Sequence, residues 1–217
     1  MGMVSLAEHG QPRPPLVVGL TGPIGCGKTA VARWLGARGG WHINADDAAR
    51  EVTAPGRPEL VAIRRRFGDG VFAEDCSLDR AALAAVVFAD PDSLAELEAI
   101  VHPAVGVLVR ERMATAAATG APFIVIEAIK LVESGLAVAC DEVWLVECSP
   151  PVQRARLVGR GMKQADADRR IAAQGADLAE RLAPYAQRRI VTDGTVAETE
   201  RAVVAALADA LSGAARH

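Results

Sequence analysis

The stretch Val17-Val18-Gly19-Leu20-Thr21-Gly22-Pro23-Ile24-Gly25-Cys26-Gly27-Lys28-Thr29 constrains this chain more than any other. Four apolar residues among Leu16 to Leu20 predict a buried strand. The octet Gly22 to Thr29 follows, in which four residues separate two glycines and lysine and threonine close the run. Beyond it, Val31, Trp34 and Leu35 share one face of a predicted helix. Strand, glycine-rich turn and helix are the context in which such an octet cradles phosphate. The glycines let backbone N–H groups turn inward, and the helix N-terminus adds the positive end of its dipole. Lys28 is expected to reach the β- and γ-phosphates, and the Thr29 hydroxyl to ligate Mg²⁺. The octet therefore predicts a nucleoside triphosphate site lined by Gly22, Pro23, Ile24, Gly25, Cys26, Gly27, Lys28, Thr29 and Ala30.

A chain of 217 residues holds one sizeable core with inserts. Its 51% hydrophobic and 24% charged residues fit a water-soluble fold, and a net charge of −3 gives no reason to expect nucleic acid. No apolar run is long enough to cross a membrane. Residues 1–15 read as a disordered leader without an apolar signal core. Cys26, Cys76, Cys140 and Cys148 are scattered, which predicts reduced thiols and a cytoplasmic location, with Cys26 as small filler in the loop.

Further along, Arg38-Gly39-Gly40 stops the first helix, and Trp41-His42-Ile43 reads as a second strand ending at Asn44-Ala45-Asp46-Asp47. Acids at the C-terminal end of such a strand sit where ligands bind, although Asp also suits a helix start. Asp47 is assigned to the helix start and Asp46 to the site. From Ala48 to about Gly120 the pattern is helical, and His102-Pro103 is expected to be a helix junction with His102 near substrate. Phe123 to Glu127 and Glu142 to Glu147 read as buried strands, and Glu127 occupies a position suited to Mg²⁺ or its waters. Gln153, Arg156 and Arg160 then share a helical face, which predicts either a phosphate-closing lid or a solvated face paired with Asp166, Asp168 and Glu180. Arg189-Ile190-Val191 is the last predicted strand, and Val196 to Leu211 a closing amphipathic helix. Strands alternating with helices predict a doubly wound parallel α/β sheet.

The ordered motifs go further than the octet. Asp46 to Arg50, Phe67-Gly68, Leu78-Asp79-Arg80 with Leu83, Val87-Phe88 and Ile100-Val101-His102-Pro103 follow one another. So do Glu133-Ser134-Gly135-Leu136, Gln153-x-x-Arg156-Leu157-x-x-Arg160, and Arg170-Ile171-x-x-Gln174. Over about Val17 to Leu211 the chain resembles the dephospho-CoA kinase family. That resemblance implies a P-loop NTPase-type fold: core 16–45, 121–150 and 187–217, a helical acceptor-binding insert over about 46–120, and a lid over about 151–186. It also implies ATP-dependent phosphorylation of the ribose 3′-hydroxyl of dephospho-CoA, the last step of coenzyme A synthesis.

Carried over by residue, the resemblance makes Asp46 the catalytic carboxylate, with Lys28 and Arg160 as its catalytic partners. Arg156 joins the ATP site, Arg50, His102 and Glu133 join Asp46 in acceptor binding, and Thr29 and Glu127 hold Mg²⁺. A monomer or weak homo-oligomer is expected. Pro23 stands where the family usually has glycine, and Asn44 replaces the first acid of its box. Glu127-Ala128-Ile129-Lys130-Leu131-Val132 replaces a usual Asp-x-Pro-Leu-Leu-Phe, and Thr192-Asp193-Gly194 an Asn-containing turn. Another small-molecule P-loop kinase and an ATP-binding protein without kinase activity remain alternatives.

Overall fold

The computed structural model describes residues 14–214; the leader expected over residues 1–15 lies, up to residue 13, outside them. Five strands are β1 (Leu16–Thr21), β2 (Trp41–Asn44), β3 (Phe123–Glu127), β4 (Glu142–Glu147) and β5 (Arg188–Val191). They form one parallel sheet in the order β2-β3-β1-β4-β5. The three inner strands β3, β1 and β4 are apolar along nearly their whole length because helices cover both faces. The edge strands each bury a single residue, Ile43 in β2 and Ile190 in β5.

Helix α1 (Lys28–Gly36) packs one face of the sheet together with the closing helix (Val196–Ala214). Leu20, Val31, Leu35, Trp144, Val203 and Leu207 are buried in that layer. On the opposite face lie α2 (Ala45–Val52) and a long helix (Pro91–Ala118), joined through Ile43, Ala48, Val105, Val109, Ile124 and Ile126. Two helices between them, α3 (Pro58–Phe67) and α4 (Arg80–Val87), bury Ile63, Leu83 and Val87 in a smaller cluster against that long helix, α5. After β4 come α6 (Pro150–Gly159), α7 (Gln164–Gln174) and α8 (Leu178–Leu182), and the closing helix is α9. Leu178 and Leu182 meet Leu145 of β4, which anchors this segment to the sheet.

One expectation is corrected here. His102-Pro103 is not a junction, because α5 continues through Pro103 for 28 residues from Pro91. A proline inside a helix removes one N–H and crowds the carbonyl four residues earlier. Side chains of α5 pack against α2, α3 and α4 on either side of the proline, so tertiary burial outweighs the local penalty. At the start of α5, Asp90 caps the helix by accepting from the N–H groups of Asp92 and Ser93.

The layer beneath the phosphate loop generates a stability prediction. Leu35 is fully buried against β1, β4 and α9. Leu35→Ala is expected to lower unfolding free energy by about 2–5 kcal/mol, read from urea denaturation, through lost transfer energy and a residual cavity. A midpoint equal to that of the parent protein would contradict this packing.

Candidate active site

The octet leaves the central strand as a loop built on positive φ at Gly22 (137°), Gly25 (81°) and Gly27 (95°). At Gly22 the constraint is also steric, since a Cβ there would lie 2.0 Å from the Val146 carbonyl oxygen of β4. The loop can therefore turn between β1 and β4 only with glycine at this point. Lys28 is 8% exposed, and its Nζ donates to the carbonyls of Gly22 (2.8 Å) and Pro23 (3.0 Å). Burial lowers the Lys28 pKa, while the negative charges of Glu127 and Asp46 oppose that shift. Pro23, which forfeits a donor, thus supplies an acceptor to the buried ammonium.

Two strand ends bring carboxylates to the loop. Register pairs Asn44 of β2 with Glu127 of β3 at the C-terminal edge of the sheet. Glu127 is 5% exposed; its Oε1 accepts from Thr29 Oγ1 at 2.6 Å, and its Oε2 faces His42 Nε2 at 3.0 Å. Burial raises its pKa, but the hydrogen bonds from His42 and Thr29 outweigh burial and hold it below the usual glutamate value. Sequence reading passed over His42; its strand alternation with Asn44, two residues on, is the signal that points to it.

Asn44 caps α2: its Oδ1 accepts from the N–H groups of Asp46 (2.9 Å) and Asp47 (3.2 Å). That cap leaves the Asp46 carboxylate without a structural duty at the helix start. Desolvation raises the Asp46 pKa, with Lys28 opposing and Glu127 reinforcing the shift. Asp47 instead pairs with Arg50 at 3.0 Å on the exposed face of α2. Arg50 is thereby turned toward Asp47, within electrostatic reach of Asp46. Arg80, which the sequence offered only within the Leu78-Asp79-Arg80 motif and without a site role, lines the neighbouring cavity and donates to Thr53 Oγ1 at 2.8 Å.

A small cavity of about 120 Å³ is bounded by Gly25, Lys28, Thr29, Asp46, Glu127 and Arg160, with Ile24 at its rim. A cavity of about 480 Å³ opens beside it, lined by Gly27, Ala30, Trp34, Arg156, Arg160 and Thr192. On the Asp46 side lies one of about 410 Å³, with Arg80, Leu83, Phe88 and His102 in its walls. Burial depresses the His102 pKa, and Glu98 opposes it. Glu133 lies apart, in a cavity of about 650 Å³ with Ile24, Phe88, Arg170 and Gln174. The Lys130–Glu98 ion pair stands between the last two cavities and lines both.

The arginine-bearing helices divide their charges. Arg154 pairs with Asp168, and Arg169 with Asp166, on the exposed side. Arg156 turns inward: its Nη1 donates to Thr192 Oγ1 at 2.7 Å and its Nη2 to the Thr192 carbonyl. Thr192 is buried and its hydroxyl bonds the Cys26 carbonyl at 2.9 Å, so it ties the phosphate loop to α6. The divergent run after Glu127 is equally well seated. Ile129 accepts from Thr21 Oγ1, and Leu131 packs where a side chain on Gly19 would clash at 2.6 Å.

A parallel sheet whose central strand feeds a glycine-rich phosphate loop, with a lysine on the loop and acids at adjoining strand ends, defines a P-loop nucleotide-binding protein. The chain belongs to the dephospho-CoA kinase family, whose model matches residues 16–198. It is 53% identical over 161 residues to a Streptomyces avermitilis protein named dephospho-CoA kinase, covering 73% of this chain and 77% of that one. A Geobacter metallireducens protein of the same name is 43% identical over 191 residues, covering 88% and 94%. A crystal structure from Thermus thermophilus superposes with a TM-score of 0.76 at 30% identity, covering 91% of this chain and 98% of that one.

Gly22 supplies the prediction specific to this geometry. Gly22→Ala sets a methyl group against the Val146 carbonyl and is expected to abolish ATP binding, measured by calorimetric titration. Undiminished affinity would overturn the close approach as the reason for glycine.

Proposed function

We propose that this protein transfers the γ-phosphoryl group of ATP to the ribose 3′-hydroxyl of dephospho-CoA, giving coenzyme A and ADP. The observation that carries the reading is the convergence of Lys28, Thr29, Asp46, Glu127 and Arg160 on one small cavity between two larger ones. In phosphoryl transfer a protein acts mainly by positioning groups and stabilising charge. The 480 Å³ cavity beside Ala30, Arg156 and Thr192 takes the nucleoside of ATP. The octet cradles its phosphates, and Lys28 exchanges the Gly22 and Pro23 carbonyls for phosphate oxygens. Arg160, at the end of α6 and bordering both cavities, offers a planar fork to the transferring group.

Asp46 is the general base. Its desolvation strengthens it toward the proton of a sugar hydroxyl, and it borders both the small cavity and the 410 Å³ cavity. The helical insert over about 46–120 binds the acceptor, with His102 and Arg80 in the wall nearest Asp46 and Glu133 in the cavity beyond. Arg50, paired with Asp47 on the exposed face of α2 and within electrostatic reach of Asp46, completes the acceptor-binding set. The segment over about 151–186 acts as the lid and excludes water, which otherwise competes as acceptor.

Mg²⁺ fits the donor set. Thr29 and Glu127 present oxygen ligands, and Mg²⁺ at such sites uses one or two carboxylates together with substrate phosphates. Bound there, the ion would neutralise charge on the phosphate oxygens. No described helix is long and apolar enough to cross a membrane, and the four cysteines are free thiols, which support a cytoplasmic location.

A coupled assay with Mg²⁺-ATP tests the reaction. Dephospho-CoA should be phosphorylated with a far higher kcat/KM than AMP or adenosine, because binding energy from the pantetheine arm orients the 3′-hydroxyl. Comparable values for AMP and dephospho-CoA would instead favour a nucleotide kinase. Asp46→Asn is expected to lower kcat by about 10²–10⁴ while retaining ATP affinity. Wild-type kcat in that variant would return Asp46 to the helix start.

A further inference from the structure

One residue at the tip of the phosphate loop is held from two directions. The Ile24 N–H donates to Gln174 Oε1 of α7 at 2.9 Å, and the Ile24 carbonyl accepts from Gln153 Nε2 of α6 at 2.8 Å. A backbone N–H can only donate and a carbonyl only accept, so both amide orientations are fixed by their partners. Gln153 is 7% exposed, and α6 presses its backbone to within 3.1 Å of where a Cβ on Gly25 would sit.

The peptide group between Pro23 and Ile24 is gripped at both ends. Its oxygen accepts from Lys28 Nζ at 3.0 Å, and its N–H is the one that Gln174 holds. The next peptide group is held through its oxygen by Gln153. Once Lys28 turns to phosphate, Gln174 remains as the side chain that opposes rotation of the first peptide plane. Gly25 follows at a φ of 81°, so rotation there would propagate into the N–H groups expected to face phosphate. Ile24 also borders both the small cavity and the 650 Å³ cavity, so a shift of the tip alters each.

We propose that Gln153 and Gln174 are positioning residues that lock the phosphate-loop tip, one as donor and one as acceptor, fastening α6 and α7 of the lid segment to Ile24. Their effect on turnover rests on the proposed kinase reaction; their effect on the loop itself does not.

The test reads backbone amide exchange in the nucleotide-free protein by NMR. One lost hydrogen bond of this kind corresponds to roughly threefold to tenfold in local opening. Gln174→Leu is expected to speed Ile24 exchange by about that factor, and Gln174→Glu, which keeps the acceptor oxygen, to restore protection. The order reverses at the other site. Gln153→Glu removes the donor and sets a carboxylate against a carbonyl, so the Cys26 amide, which closes the tip onto the Pro23 carbonyl at 3.4 Å, should exchange faster than in Gln153→Leu. In turnover, Gln174→Leu should lower kcat with dephospho-CoA by more than it weakens ATP binding. Equal exchange in Gln174→Leu and the parent, or identical behaviour of the Glu and Leu variants at both sites, would overturn the proposal. If the parent itself failed to turn over dephospho-CoA, the kinase reading would fall while the exchange contrast still decided the clamp. Should Gln174→Leu not fold, the opposite responses of Gln174→Glu and Gln153→Glu decide it alone.

Discussion

The site depends on the passage of Gly22 beneath the Val146 carbonyl. Because glycine carries no Cβ where none would fit, the chain can leave β1 beside β4 and bend back at once. The carbonyls of Gly22 and Pro23 then lie over Lys28, and the first turn of α1 starts within reach of the β3 terminus. A side chain at Gly22 would push the loop away from β4 and separate Lys28 and Thr29 from the carboxylates. The parallel sheet sets this stage. Its central strand is covered on both faces, so the loop emerges at the carboxyl edge, where a crevice between helices can hold a ligand.

Charge balance follows from that placement. The buried Lys28 ammonium is costly to desolvate, and its two carbonyl partners, with Asp46 and Glu127 nearby, offset the cost. The two acids differ in environment. Glu127 is hydrogen-bonded by Thr29 and His42 and stays ionised, whereas desolvation dominates at Asp46 and raises its proton affinity. Neighbouring carboxylates pushed apart in this way suit different tasks, one toward metal and one toward a proton.

The departures from the family pattern acquire physical roles. Asn44 caps α2 as well as an aspartate would, so the change at that position leaves Asp46 free. Thr192 joins Arg156 to the loop carbonyl of Cys26 through its hydroxyl. The run after Glu127 keeps Leu131 buried over Gly19, where the absence of a side chain makes room for it.

What was legible in the sequence was local. The spans of β3 and β4 follow from short apolar runs, and the phosphate loop from its glycines and lysine. Asp46 was marked by its place at a strand end, and the Gly39 turn by its position after α1. Each of these signals sits within a few residues and acts through backbone geometry or periodicity. Tertiary structure decided the rest. Pro103 stays helical because α5 is packed along its length, against what proline dictates locally. His42, Arg80 and Thr192 gain their roles from partners in other elements, and Arg50 turns to Asp47 on the open face of its own helix. Gln153 and Gln174 reach Ile24 across separations of 129 and 150 residues, so no window of sequence contains both ends of either bond. Hydrogen bonds between distant segments are fixed by packing, which a one-dimensional pattern does not encode.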